Sequence, residues 1–293
     1  MNEKVCIVTG ASSGIGKASA AGLASLGATV VAAMRGPSPR SDAALAEIRA
    51  KSRGPSDSVS AMYADLSSQD SIREFALEFN EKFDSLEVLI NNAAVYRSRR
   101  VLTVDGIEMT FAVNVVAPFL ITNLLLDKLK RSTPSRIVNV SSDAANGHSV
   151  DFQNLQGERK YSMLSAYGLS KLELDLITLE FARRLEGTGV TANFLHPGVI
   201  RTNLYRDGNP VAMALFSLVR LFFGSPENGA RTPVYLASSP DLEGVTGRYF
   251  SGMREQKAWK EAYDLGSAKR LWQICERITE PRKDASMAPS KKD

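Results

Sequence analysis

Tyr167 and Lys171 stand four residues apart in the stretch "YSMLSAYGLSK". On a helix this spacing puts a phenol and an ammonium on one face, a turn apart. A free phenol has a pKa near ~10, too high for efficient base catalysis at neutral pH, and a fixed cation beside it stabilises the phenolate. The pair can therefore work as a general acid/base that carries its own tuning charge. Tyr161 has Ser165 in the corresponding place and no such cation. Taken alone, Tyr-x-x-x-Lys is also a common surface contact, so its meaning depends on what else the chain brings to it.

A second group of residues suggests a nucleotide. The segment "TGASSGIG" places Gly10, Gly14 and Gly16 between a strand-like run and a helical one. Glycines there let the backbone turn tightly and approach a phosphate, while the N-terminus of the following helix offers free N–H groups. The spacing is not the G-x-G-x-x-G of the general dinucleotide fingerprint, so the position of the turn carries the argument. Where an NAD site has an acidic residue closing its second strand, this chain has Arg35. A guanidinium binds a 2′-phosphate that a carboxylate would repel, so NADP(H) is expected over NAD(H). Arg40 is a weaker candidate for the same phosphate.

These groups need a scaffold. Apolar, β-branched runs at 4–9, 29–34, 58–63, 86–90, 136–141, 190–195 and 245–250 predict seven strands. Their near-continuous hydrophobicity suits strands buried on both faces of a parallel sheet. Helical patterns at 14–26, 41–52, 69–83, 105–130, 162–186 and 227–238 lie between them. The expected fold is α/β, a doubly wound Rossmann-type arrangement with a seven-stranded parallel sheet flanked by helices and a ligand at the carboxyl ends of the strands. Residues 1–253 are expected to form one catalytic domain with a substrate lid around 203–226, followed by a helical extension at 254–280 and a disordered tail at 281–293.

In order along the chain, "TGASSGIG", "NNAA" (91–94), "FAVN" (111–114), "VNVSS" (138–142), "YGLSK" (167–171) and "HPG" (196–198) resemble the short-chain dehydrogenase/reductase family. With "SAKRLWQICERI" and "LQGERKYS", the chain looks most like its retinol dehydrogenase branch. The resemblance implies Asn114, Ser142, Tyr167 and Lys171 as catalytic residues. Tyr167 would move the proton, and Lys171 would hold the nicotinamide ribose and lower the tyrosine pKa. Ser142 would hydrogen-bond the substrate oxygen, and Asn114 would hold a water leading to solvent. It also implies cofactor contacts from Gly10, Ser12, Ser13, Gly14, Ile15 and Gly16 at the pyrophosphate and from Asp65 with Leu66 at the adenine. Asn92 and Ala93 would lie at the adenosine ribose, and Pro197, Gly198, Val199 and Thr202 around the nicotinamide. The 25 residues from Ser142 to Tyr167 include an insertion expected to border the substrate mouth.

The implied activity is interconversion of a carbonyl and an alcohol on a hydrophobic small molecule, whether retinal-like, steroid-like or another apolar aldehyde or ketone. Two alternatives stay open: reduction of a carbon–carbon double bond with the same Tyr and Lys, and a non-catalytic nucleotide sensor or scaffold. The apolar segment 210–224 has three readings, as a lid, a peripheral membrane contact or a core helix. The resemblance implies a homodimer with faces on the 105–130 and Tyr167 helices, although the apolar segment could equally serve an interface.

Other classes fit poorly. Lys and Arg exceed Asp and Glu by ten to seven from Arg254 onward but balance at 26 to 25 before it, so the body has no basic stripe for nucleic acid. Two histidines and two distant cysteines, Cys6 and Cys275, give no metal-ligand spacing. Asp143 and His148 follow Ser142, but no G-x-S-x-G elbow presents a hydrolase serine. The start, "MNEKVCIVTG", passes directly into a strand-like run without a signal-peptide core, so a cytoplasmic location is expected.

Overall fold

The computed structural model describes residues 1–55, 57–198 and 224–281. β1 (Val5–Thr9), α1 (Gly14–Ser25), β2 (Thr29–Met34), α2 (Pro39–Arg49), β3 (Val59–Tyr63), α3 (Gln69–Lys82) and β4 (Val88–Asn91) make up the first half. β2 occupies the expected residues. Ser38 and Ser68 cap α2 and α3 by accepting the N–H of Ser41 and Ser71 at 3.1 and 3.3 Å.

The helix expected at 105–130 is broken into pieces. A turn of α4 (Met109–Phe111) leads into a π-helical stretch, Ala112–Val116, then α5 (Ala117–Leu124) and α6 (Leu126–Arg131). Pro118 explains the irregularity, because an α-helical bond to the Asn114 carbonyl would have to come from residue 118, which has no N–H. The ladder widens instead, with the Ala117 N–H reaching the Ala112 carbonyl.

β5 (Ser135–Val140), α7 (Met163–Arg184), β6 (Val190–His196), α8 (Pro226–Ser238), β7 (Tyr249–Ser251), β8 (Arg254–Gln256) and α9 (Leu265–Thr279) follow. The strands form one sheet in the order β3-β2-β1-β4-β5-β6-β7-β8. Seven strands are parallel, as expected, and β8 adds an eighth that runs antiparallel to β7. Gly252 and Met253, both with positive φ (59° and 62°), make the two-residue turn between them. Sequence reading missed β8 because "REQ" offers no apolar periodicity. It also began β7 too early, since Gly244 and Gly247 take positive φ and keep 245–248 out of the strand.

Each face of the sheet has its own buried core. α1, α2 and α8 cover one side, through Leu23, Ala44, Ile48 and Leu236. α3, α5, α7 and α9 cover the other, through Phe75, Phe79, Phe119, Phe181 and Trp272. The Trp272 ring of α9 meets Phe119 and Phe181 edge-on at 4.9 and 4.6 Å, and the Arg184 guanidinium lies 4.1 Å over its face. α9 therefore packs on α5 and α7, two of the helices that the resemblance offered for a homodimer. The expected lid at 203–226 lies outside the described residues except for 224–226, as does all but Gly224 of the 210–224 segment and nearly all of the 281–293 tail.

Candidate active site

The carboxyl ends of β1, β4, β5 and β6 bring most of the predicted residues together. Gly16 sits where a Cβ would fall 2.4 Å from Asn92 Nδ2 and 2.5 Å from the Gly10 carbonyl oxygen, so only glycine fits. Gly14, at φ 55°, faces open space. Ser13 precedes α1 in extended backbone without a side-chain cap, and the first turn of α1 has no acidic residue. Uncapped N–H groups, an open cradle and no competing carboxylate suit an anionic pyrophosphate. Ser12 is partly exposed at this turn, and Ile15 is buried behind it.

Thr9, which sequence reading passed over, ties this turn to β4. Its hydroxyl accepts the N–H of Asn92 and of Ala93 at 2.9 and 3.0 Å, and its carbonyl accepts from Asn92 Nδ2 at 2.8 Å. The Thr immediately before Gly10 was the available signal. Asp65 opens the turn before α3, with Oδ1 accepting from the Ser67 N–H and hydroxyl at 3.0 and 2.7 Å, and Leu66 packs against the core. Arg35 directly follows β2, is exposed, and makes no ion pair among the described residues. Pro197 and Gly198 follow β6, with Gly198 at φ 87°. Val199 and Thr202 lie outside the described residues.

Ser142 follows β5 and caps a short 3-10 turn, its hydroxyl accepting the Ala144 N–H at 3.2 Å. It lies close enough to the Tyr167 phenol to favour that group's ionisation. α7, capped by Ser162 through the Ser165 N–H at 3.2 Å, presents Tyr167 and Lys171 on one face. Lys171 is fully buried; its Nζ donates to the Val140 carbonyl at 2.9 Å and lies 5.6 Å from the Tyr167 ring centre.

The electrostatics differ from the expected tuning. Burial, with Tyr96 nearby, pushes the Tyr167 phenol up to about 12 against the opposing effect of Ser142. The Lys171 ammonium, meanwhile, donates to the Val140 carbonyl. Burial also pushes Lys171 down to about 8, with the Asp175 charge opposing. Tyr96, which sequence reading did not single out, packs edge-on against Tyr167 at 5.1 Å.

Asn114 is buried, and its side chain is fully engaged. Oδ1 accepts the Val95 N–H at 2.8 Å, while Nδ2 donates to the Val95 carbonyl and to Ser170 Oγ, both at 3.0 Å. The amide therefore fastens the loop after β4 to α7.

Tyr161 stands apart, its hydroxyl 3.1 Å from the Arg97 carbonyl and 3.4 Å from Glu108 Oε1. With Gln156, Gly157 and Ser165 it lines a cavity of about 30 Å³ under the insertion. His196 packs behind Ser142: its Nδ1 accepts the Asp143 N–H at 3.3 Å and Nε2 lies 3.5 Å from Asp143 Oδ2. Among the described residues no metal-binding group of His, Cys, Asp or Glu assembles, and no helix is long and apolar enough to cross a membrane.

Residues 4–210 match the family model described as short chain dehydrogenase. The chain is 44% identical to human retinol dehydrogenase 14 over 290 residues, covering 94% of this chain and 86% of that protein. Its fold is similar to that of an uncharacterised Mycobacterium paratuberculosis protein (TM-score 0.75, 31% identity, 95% and 94% of the two chains covered). A short chain dehydrogenase from Burkholderia cenocepacia, solved in complex with NADP, is similar at TM-score 0.66 and 28% identity, covering 85% and 96%.

Proposed function

The chain belongs to the short-chain dehydrogenase family, in its retinol dehydrogenase branch, and from that premise we propose an NADP(H)-dependent enzyme that interconverts a carbonyl and an alcohol on an apolar small molecule. The convergence of Ser142, Tyr167 and Lys171, together with the uncapped start of α1 after β1 of the same sheet, carries this reading.

The residues present fit a nicotinamide dinucleotide. Gly10, Gly14, Gly16 and the first N–H groups of α1 would hold the pyrophosphate, Asp65 and Leu66 the adenine, Asn92 and Ala93 the adenosine ribose, and Lys171 the nicotinamide ribose. When bound, the nicotinamide supplies or removes the hydride at the carbonyl carbon. In reduction, Tyr167 gives its phenolic proton to the carbonyl oxygen; in oxidation, it takes the proton from the hydroxyl. Ser142 donates a hydrogen bond to the same oxygen and stabilises its developing charge. A phenol pushed up to about 12 is protonated at neutral pH, which suits the reductive direction.

Arg35 supports NADP(H) over NAD(H). It lies exposed at the end of β2 with no carboxylate paired to it among the described residues, so it is free to grip a 2′-phosphate. The likeness to a retinol dehydrogenase and the NADP-bound bacterial relative support the apolar substrate and the cofactor choice. A fluorescence titration with NADPH and NADH tests the cofactor. NADPH should bind at least about tenfold more tightly, corresponding to ~1.4 kcal/mol, and Arg35→Ala should remove most of the difference. Equal affinities in the wild type would refute the preference. Turnover of aldehydes and ketones of graded size, with Tyr167→Phe as the blank, tests the substrate class.

A further inference from the structure

Tyr96 lies half-buried on the loop between β4 and α4, and its ring stands edge-on to the ring of Tyr167, with centroids 5.1 Å apart at 77°. The loop is held on both sides of it. The Val95 N–H donates to Asn114 Oδ1 at 2.8 Å, and the Val95 carbonyl accepts from Asn114 Nδ2 at 3.0 Å. The Arg97 carbonyl accepts the Tyr161 hydroxyl at 3.1 Å. Both clamps lead back to α7: Asn114 bonds Ser170 of that helix, and Tyr161 directly precedes its Ser162 cap. The backbone on either side of Tyr96 is therefore tied to the helix that carries Tyr167.

An aromatic ring held in one orientation gives more than apolar cover, because it attracts a second flat π system beyond what area burial contributes. A carbonyl oxygen that takes the Tyr167 proton comes within about 3 Å of the phenol. Buried Lys171 lies over the Tyr167 ring, 5.6 Å from its centre, and fills that side. Tyr96 meets the same ring from the loop and keeps part of its own surface open.

We propose that Tyr96 is a substrate-contacting residue that sets specificity: its clamped ring packs against the group bonded to the carbonyl carbon and favours a flat, conjugated or aryl group over a saturated one of the same size. The proposal rests on the carbonyl–alcohol reading of Tyr167 and Ser142. It narrows the apolar substrate of that reading to carbonyls flanked by a π system.

The test compares benzaldehyde with cyclohexanecarbaldehyde, which share a carbon skeleton and differ in the flatness of the ring. kcat/KM with NADPH is measured for each on the wild type, Tyr96→Phe and Tyr96→Leu. The readout is the aryl-to-saturated ratio, so the intrinsic reactivity of the two aldehydes cancels between variants. Tyr96→Phe keeps the ring and should hold the wild-type ratio within about twofold. Tyr96→Leu stays apolar without a ring and should lower the ratio by about threefold to tenfold. A purely structural role would lower the melting temperature of Tyr96→Leu and slow both aldehydes equally, and that unchanged ratio overturns the proposal. Should Tyr96→Leu not fold, Tyr96→Met, equally without a ring, carries the same comparison. If neither aldehyde is reduced, the carbonyl–alcohol reading fails. Calorimetric titration of the enzyme with NADPH present, using benzamide and cyclohexanecarboxamide, then decides the role of Tyr96: the same fall in the affinity ratio supports it, and no difference between wild type and Tyr96→Leu overturns it.

Discussion

The Nδ2 of Asn114 donates to the Ser170 hydroxyl at 3.0 Å, and that hydroxyl donates in turn to the Tyr167 carbonyl at 2.8 Å. The π-helical turn and the catalytic helix are thus joined by a buried side-chain bond that ends on the Tyr167 backbone. Ser170→Ala leaves Asn114 with its Val95 contacts only. A loss of about 1 kcal/mol is expected for such a bond, seen as a lower midpoint in urea unfolding, with cofactor affinity unchanged. An unchanged midpoint would mean that the bond contributes nothing to holding the two elements together.

Two tyrosines six residues apart should behave oppositely. Tyr167→Phe removes the proton donor and should abolish turnover while cofactor quenching titrations look like wild type. Tyr161→Phe loses contacts to Arg97 and Glu108 on the far side of the insertion and should keep most of its activity. Steady-state assays on both variants check the assignment, and an inactive Tyr161→Phe with an active Tyr167→Phe would reverse it.

The pH profile has a fixed direction. Lys171 is pushed down to about 8, so its ammonium is present below that pH and is lost as the pH rises through it. Carbonyl reduction should therefore fall off on the alkaline side near pH 8. Tyr167, pushed up to about 12, stays protonated throughout and adds no limb in that range. A rate flat to pH 10 would separate the lysine charge from catalysis.

Gly16→Ala places a methyl group 2.4 Å from Asn92 Nδ2 and 2.5 Å from the Gly10 carbonyl. The Gly10 contact is backbone and cannot swing aside, so the turn itself must shift. NADPH affinity should drop by at least about tenfold, equal to ~1.4 kcal/mol, in an isothermal titration. Gly14→Ala meets no atom within 4 Å, so any effect there reports its positive φ rather than crowding.

Trp272→Ala tests the clasp between α9 and the body. The ring is buried against Phe119 and Phe181, and removing a buried Trp typically costs about 3–5 kcal/mol. A clearly lower melting temperature with a tendency to self-associate is expected, because the exposed apolar face then lacks its cover. A variant that melts like the wild type would make α9 an incidental neighbour.

The residues that sequence reading found are those whose chemistry is carried by local spacing. Tyr167 and Lys171 are related by one helical turn, and Gly10, Gly14 and Gly16 by one loop, so neither relation needs the tertiary fold. "TVVAAM" ran true as β2 because an apolar run between Gly27 and Arg35 has one way to be buried in a parallel sheet. What it missed depends on segments distant in the chain. Tyr96 meets Tyr167 across 71 residues, and the bond from Lys171 to the Val140 carbonyl spans 31. No local pattern marks either one. The upward push of burial on Tyr167 was not anticipated, since i,i+4 spacing shows that a cation is near but says nothing of how deeply the phenol is buried. The irregular 105–130 helix was legible in principle, because Pro118 announces where the ladder must change.

Gly252 and Met253 return the chain so that Arg254, Glu255 and Gln256 form the outermost strand of the sheet beyond β7. All three side chains are exposed. A bare rim of parallel strand would offer its unpaired N–H and C=O groups as a template to any extended peptide, including a copy of itself. A short terminal strand bearing opposite charges answers that hazard, since an incoming strand gains few bonds and must seat its side chains against a guanidinium and a carboxylate. The hairpin that sequence reading overlooked thus acts as a guard against edge-to-edge aggregation.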